Sequence, residues 1–314
     1  MAPMFLVSTP EMALAGCKEG IVGSFPALNQ RTSAGFEEWL AQMNKGIEDL
    51  RQQNPGKTIA PYAVNLIVNK TNTRLQDDLA LIVKYKVPVV ITSLGASEEV
   101  IKAIHSYGGI VLHDVTNIVH AKKAAAAGVD GLIAVAAGAG GHAGTENPIA
   151  LVDEIREFYN GIVILSGSLT KGGDILAAQA MGADFAYMGT RFVSTAESGA
   201  NPEHKKMIVD AEEADIVYTA AISGIPANFI RQSLEKAGYD TSTMKTNGPG
   251  EGKLKSLTGE TASWNKVWSA GQGVANIHDT PSIQVLVDRL KKEYDAAQTA
   301  LIAKVKKAAP SPKL

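Results

Sequence analysis

The chain has 314 residues, 45% of them apolar and 20% charged, with a formal net charge of -2. That is room for one large domain or two ordinary ones around a sizeable core. The balance excludes binding to nucleic acid through a basic surface, and the single cysteine, Cys17, excludes an intramolecular disulfide and a cysteine-cluster metal site.

The first residues lack a basic start followed by a long apolar core, and no apolar run is long enough to span a bilayer. A soluble cytoplasmic protein is therefore expected, with neither membrane nor nucleic acid as a partner.

Short apolar runs alternate with segments of helical period. In chain order the pattern predicts a helix over 10–18, a strand over 21–25 and a helix over 35–53. Strands over 62–68, 87–93, 110–115, 131–136, 162–166 and 185–188 follow, separated by helices over 75–85, 97–106, 117–127, 149–159 and 173–181. Thr9 before Pro10 reads as an N-cap with proline at the first helical position, and Gly128 and Gly182 read as helix stops. Cys17 falls inside the first helix, where buried packing is its expected role.

Several of these strands are apolar on both faces, as strands of a parallel sheet under helices should be. The alternation selects a parallel α/β fold. Seven strands are counted before the rhythm ends near Gly189, so the expected architecture is a TIM (β/α)8 barrel whose first strand is truncated near Met1. An open, doubly wound sheet is the alternative. From Asn201 to about Gly273 the rhythm breaks. The expected organisation is a barrel over 1–200, an inserted substrate or cap region over 201–267, and a return to the barrel with a C-terminal helix over 268–314. Residues 245–255 read as a glycine- and lysine-rich loop, 281–307 as one long amphipathic helix, and 310–312 as part of a frayed tail.

The chemistry concentrates at strand exits. After the strand over 131–136 come Gly138, Gly140, Gly141 and Gly144, with His142 as the one imidazole among them. Such a stretch lets backbone approach a flat ligand and supplies an acid/base group beside it; a flexible loop with a solvated histidine is the plain alternative. After the next two strands come Ser166-Gly167-Ser168 and Gly189-Thr190-Arg191. Two such turns at adjacent strand ends can hold a phosphate on free backbone N–H groups. Asn65 can bond the edge of a flavin-like ring, or be a satisfied polar group near a strand end. His113 and Asp114 are neighbours on one strand and should point to opposite faces, so only one of them is expected to face the site. His105, His120, His204 and His278 show no metal-ligand spacing and read as surface or core histidines. Trp268 precedes a second bare turn ending at Gly273, and Trp264 reads as core.

Taken together, Ala2-Pro3-Met4, Gly140-Gly141-His142-Ala143-Gly144, Ser166-Gly167, Gly182-Ala183-Asp184 and Met188-Gly189-Thr190-Arg191-Phe192 resemble the nitronate monooxygenase family, formerly 2-nitropropane dioxygenases. The resemblance implies a TIM barrel that binds FMN without a covalent link and carries a smaller domain late in the chain. It implies His142 as substrate base or polar anchor, phosphate contacts at Ser166, Gly167, Ser168, Gly189 and Thr190, and ring contacts at Ala2, Pro3, Met4, Asn65, Gly140 and Gln272 or its neighbours. The chain departs from the family in lacking apolar residues ahead of Ala2-Pro3-Met4. It also carries Asp114 or His113 where some relatives have a flavin-contacting lysine or glutamine. The implied reaction is oxidation of an alkyl nitronate with dioxygen, with no metal. An NAD(P)H-dependent flavin reductase of quinones or enoyl thioesters and a non-catalytic flavin binder are the alternatives, and a homodimer is compatible with all three.

Overall fold

The computed structural model describes residues 1–222, 224–242, 244 and 267–308. The expectations for 245–255, Trp264 and 310–312 lie outside the described residues.

Along the chain run α1 (Pro10–Lys18), β1 (Gly23–Pro26), α2 (Ser33–Gln53), β2 (Tyr62–Ile67), α3 (Leu75–Lys84), β3 (Val89–Ser93), α4 (Glu98–His105), β4 (Ile110–Val115), α5 (Ile118–Ala127) and β5 (Gly131–Val135). Then come β6 (Gly141–His142), α6 (Pro148–Phe158), β7 (Ile162–Ser166), α7 (Gly172–Ala180), β8 (Phe185–Tyr187) and the single turn α8 (Thr190–Val193). The late chain adds α9 (Pro202–Asp210), β9 (Ile216–Thr219), β10 (Ala227–Ile230), α10 (Arg231–Lys236) and α11 (Ile283–Ala308).

Seven strands form one parallel sheet in the order β1-β2-β3-β4-β5-β7-β8. Each neighbour is the next barrel strand in sequence, with no reversal of order. A doubly wound sheet needs such a reversal, so the barrel reading holds. Alternate residues divide the sheet into two faces. Ala63, Ile91, Leu112, Ile133 and Ile164 fill the barrel interior. Val64, Val90, Val111, Leu132 and Val163 face the helices in a larger core with Phe36, Leu40, Ile104 and Val152.

Met1 and Ala2 occupy the first-strand position between β1 and β8. The Met1 backbone nitrogen donates to Val22 O at 2.9 Å, and the Met1 carbonyl accepts from Ser24 Oγ at 2.7 Å. Across the seam, Ala2 N–H donates to Met188 O at 2.9 Å. These bonds hold Ala2-Pro3-Met4 at the mouth of the barrel.

Local chemistry accounts for the element ends. Thr9 Oγ1 accepts from Met12 N–H, with Pro10 in the first turn, as the sequence predicts. Gly128 takes the left-handed conformation (φ 91°) that stops α5. Helix α2 starts at Ser33, earlier than the periodicity predicts, because Thr32 Oγ1 caps it by accepting from Gly35 N–H. Strand β1 starts late, at Gly23. That glycine packs on α1 so closely that a Cβ there would lie 2.0 Å from Ala13 O. Cys17 is buried and donates to Pro61 O, and burial pushes its thiol up to about 11, as befits packing rather than chemistry.

The region where the rhythm breaks contributes a second, antiparallel sheet, β6-β10-β9. Its apolar side gathers Val217, Ile222, Phe229, Leu234 and Val267. Strand β6 is the histidine-bearing segment, which the sequence reading placed at a strand exit without expecting a strand there. It pairs Ala227 with His142 and Asn228 with Gly141, so the late chain grips the exit of β5 directly. Helix α11 returns along α7, where a Cβ at Gly172 would lie 2.1 Å from Leu290 O. No helix among the described residues is long and apolar enough to cross a membrane.

Candidate active site

One cavity of about 1660 Å³ opens at the strand exits. That exceeds the ~300–1,000 Å³ usual for a single small-molecule ligand, so a cofactor and a substrate fit together. Ala2, Pro3, Met4, Asn65, Gly140, His142, Ser166, Gly167, Ser168, Gly189 and Thr190 all line it. Gln272 does not. Its side chain is exposed, while its backbone N–H donates to Gly138 O at 2.9 Å, and the wall is made by its neighbours Gly271 and Gly273.

The two turns read as a phosphate cradle lie side by side, because β7 and β8 pair with Ser166 opposite Tyr187. The backbone N–H groups of Gly167, Ser168, Gly189 and Thr190 donate to no acceptor among the described residues. Gly167 sits at φ 126°, and Ser168, a residue with a side chain, sits at φ 56°. That left-handed pair turns successive N–H groups toward one side. Thr190 Oγ1 accepts from Gly271 N–H at 2.9 Å, which leaves its own hydrogen available to donate.

His142 is fixed from the other side. Tyr218 OH donates to Ala143 O at 3.1 Å, and Asn228 Nδ2 donates to Ala139 O at 2.7 Å. Burial lowers the His142 imidazole to about 4, so the ring is neutral at pH 7. His204, read from sequence as a surface or core residue, lines the same cavity and stacks on Trp268 with ring centroids 5.3 Å apart. Its imidazole is also lowered to about 4, chiefly by burial.

The barrel floor holds Asn65 and Asp114, both singled out by the sequence, with Ser93 and Tyr187, which the sequence reading missed. Asn65 Nδ2 donates to Ile91 O at 3.1 Å and to Ser93 Oγ at 2.7 Å, and Ser93 Oγ donates to Asp114 Oδ2 at 2.6 Å. Both Asn65 hydrogens are thereby used, so its carbonyl oxygen is the atom left for a ligand. Of the neighbours His113 and Asp114, Asp114 shares the interior parity of Leu112. His113 shares the parity of Val111 and Val115 and meets Thr92 Oγ1 at 2.7 Å, yet it lines the cavity together with Asp114, contrary to the expectation that only one of them would. Tyr187, two positions before Gly189, faces inward opposite Ser166. Its signal in the sequence was only its place on a strand next to a predicted turn.

The residues suit a flavin. They combine free N–H donors for a phosphate, a flat glycine-bearing wall, ring-edge hydrogen-bonding groups on the floor and a neutral imidazole. Among the described residues no group of histidine, cysteine, aspartate or glutamate could hold a metal ion.

A nitronate monooxygenase family model matches residues 2–293. The chain belongs to the nitronate monooxygenase family. A nitronate monooxygenase of Paraburkholderia phytofirmans is 28% identical over 280 residues, 76% of this chain and 75% of that protein. A hydroxy-methyl-oxo-octahydroindene carboxyl-CoA dehydrogenase of Rhodococcus jostii is 24% identical over 73% of this chain and 65% of its own length. Among solved structures, a nitroalkane oxidase from Streptomyces ansochromogenes superposes with a TM-score of 0.75 at 27% identity, covering 96% of each chain. FabK from Thermotoga maritima superposes at 0.74 with 25% identity, over 97% of this chain and 94% of that one. This member of the nitronate monooxygenase family is a flavin-dependent oxidoreductase on a TIM-type barrel.

Proposed function

We propose that the chain binds FMN and oxidises alkyl nitronates with dioxygen. The observation that carries this reading is a neutral imidazole, His142, fixed between the exit of β5 and strand β10 in the same cavity as the unpartnered N–H groups of the β7 and β8 turns. Gly167, Ser168, Gly189 and Thr190 would hold the phosphate, and Ala2, Pro3, Met4 and Asn65 would border the ring. A bound flavin would supply the electron-transfer chemistry between substrate and dioxygen. The chain's own residues position the substrate, exclude water and move one proton.

That proton belongs to the carbon next to the nitro group of a neutral nitroalkane. His142 takes it on a ring nitrogen, in the role of a general base. Because burial holds its pKa at about 4, the basic form is present throughout the neutral range and is lost as pH falls through 4. The segment 201–267 is read as the cap that covers the substrate, since its strand β10 holds the histidine in place.

Anaerobic mixing of the purified flavoprotein with propionate 3-nitronate should bleach the flavin. Bleaching by NADH alone would instead favour a reductase of quinones or enoyl thioesters. Arg31 and Lys123 favour that second reading, because they lie exposed on the cavity lining, without carboxylate partners among the described residues, and suit an anionic tail such as that of a CoA thioester. The variant His142→Ala should retain flavin and lose roughly 100-fold or more in turnover of a neutral nitroalkane, the scale of a lost general base. Turnover of the preformed nitronate should fall much less. Equal losses on both substrates would make His142 an anchor rather than a base.

A further inference from the structure

A second pocket, of about 200 Å³, is left unused by the mechanism above. It opens between the turn ahead of α7, the short helix α8 and the first half of α11. Thr170 lines both this pocket and the large cavity, so the two share one wall. Gly167, Ser168, Gly189 and Thr190 line the large cavity and not this pocket. We propose that the pocket binds inorganic phosphate in a form that carries one hydrogen, with Lys171, Arg191 and Asn276 donating to its bare oxygens and Glu293 accepting that hydrogen. The inference goes beyond the flavin reading and does not rest on it.

Arg191 anchors the site. It lines the pocket and is only 2% exposed. Its Nη1 donates to Asp279 O at 3.4 Å and its Nη2 to Asp279 Oδ1 at 2.9 Å, while Nε–H has no acceptor among the described residues. Asp279 also accepts two hydrogen bonds from Arg289, at 3.0 and 2.6 Å. Two guanidiniums therefore share one carboxylate. Burial lowers the Arg191 guanidinium from its ordinary value, against the pull of Asp279, as a buried charge short of compensation should be lowered. Lys171 and Arg289 add positive charge to the wall, and Lys171 makes no ion pair among the described residues. A guanidinium N–H with an ammonium beside it is the donor set that suits an oxyanion.

One acid on the wall decides which oxyanion. Glu293 Oε2 accepts from Gly172 N–H at 2.8 Å, which leaves Oε1 for a ligand. A carboxylate repels an anion that has no hydrogen and hydrogen-bonds one that has it. At pH 8 inorganic phosphate keeps one hydrogen, whereas sulfate and a phosphate monoester keep none. The N–H groups at the start of α7 are already used. Asp174 Oδ2 accepts from Thr170 N–H at 2.7 Å and from Lys171 N–H at 2.9 Å. Side chains therefore make the site, and phosphate held there ties the start of α7 to α8 and α11.

The test titrates the full-length protein, saturated with FMN, with inorganic phosphate, sulfate and glycerol 2-phosphate at pH 8 and constant ionic strength. Calorimetry reads the dissociation constants, and melting temperature gives a second readout. Phosphate should raise the melting temperature by roughly 2 °C at ten times its dissociation constant. Sulfate and glycerol 2-phosphate should bind at least roughly tenfold more weakly. Lys171→Ala removes an exposed side chain and should weaken phosphate roughly tenfold. Glu293→Gln keeps an oxygen for Gly172 N–H and should abolish the preference, so that sulfate binds about as well as phosphate. Absence of phosphate binding, or equal binding of phosphate and sulfate by wild type, would overturn the site. So would phosphate binding that displaces FMN, since it would place the anion at the β7 and β8 turns instead.

Discussion

The turn after β5 and the turn after β8 both carry glycine at the cavity wall, but the absent side chain serves a different purpose in each. At Gly140 a Cβ would lie 2.8 Å from Gly271 N and 2.9 Å from Ala270 C. At Gly271 it would lie 2.5 Å from Gly138 O. Here backbone packs on backbone, and the glycines are required by the returning segment 268–276. At Gly189 the nearest atoms to a Cβ are Ala2 Cβ and Met4 Sδ, both at 3.7 Å, an ordinary contact. Among the described residues nothing demands glycine there, and the N–H beside it has no partner. One turn is bare because protein fills the space. The other is bare although protein does not, which is the signature expected of a ligand's place.

The comparison is open to direct tests. The largest effect should come from Gly140→Val, whose side chain meets backbone that has nowhere to move. A loss of stability on the order of 1–3 kcal/mol is expected, read as a lower melting temperature of the flavin-free protein. An unchanged melting temperature would show that the 268–276 segment is not packed as tightly as described. Next comes Gly189→Val, which should leave the melting temperature of the flavin-free protein almost unmoved and weaken FMN binding by roughly tenfold or more. If it destabilises the protein as much as the first variant does, the two turns are not different in kind. The smallest effect belongs to Gln272→Ala. Its exposed side chain should matter by less than about 0.5 kcal/mol, with flavin retention unchanged. Loss of flavin in that variant would restore Gln272 to the ring contacts that the family resemblance implies.

Much of the barrel was legible because its strands are apolar on both faces and its helices carry local stop and start signals. Thr9, Pro10 and Gly128 act where they stand, within one turn of chain, and need no tertiary partner. The two turns proposed to hold a phosphate were legible as turns for the same reason, since glycine next to serine or threonine at a strand exit is a local pattern. Other features were not. Tyr187 looks like any strand aromatic until the barrel closes and its hydroxyl is buried. Asp114 and His113 are adjacent, and only the register of β4 against β3 and β5 decides which of them turns inward. Thr32 was passed over as a cap because the apolar period of α2 starts later than its hydrogen bonds do.

The sequence by itself determined the order of strands and helices, the two glycine turns at the ends of β7 and β8, and the presence of one imidazole beside the β5 exit. Those properties reside in periodicity and in residues that act on their immediate neighbours. The tertiary structure alone decided that His142 lies on a strand, because the partner of that strand is 85 positions later in the pairing of Ala227 with His142. It alone keeps the imidazole neutral well below pH 7, since burial lowers its pKa to about 4. And it alone separated the glycines that accommodate protein from the one that leaves room for a ligand, because what fills the space of a missing Cβ comes from elsewhere in the chain.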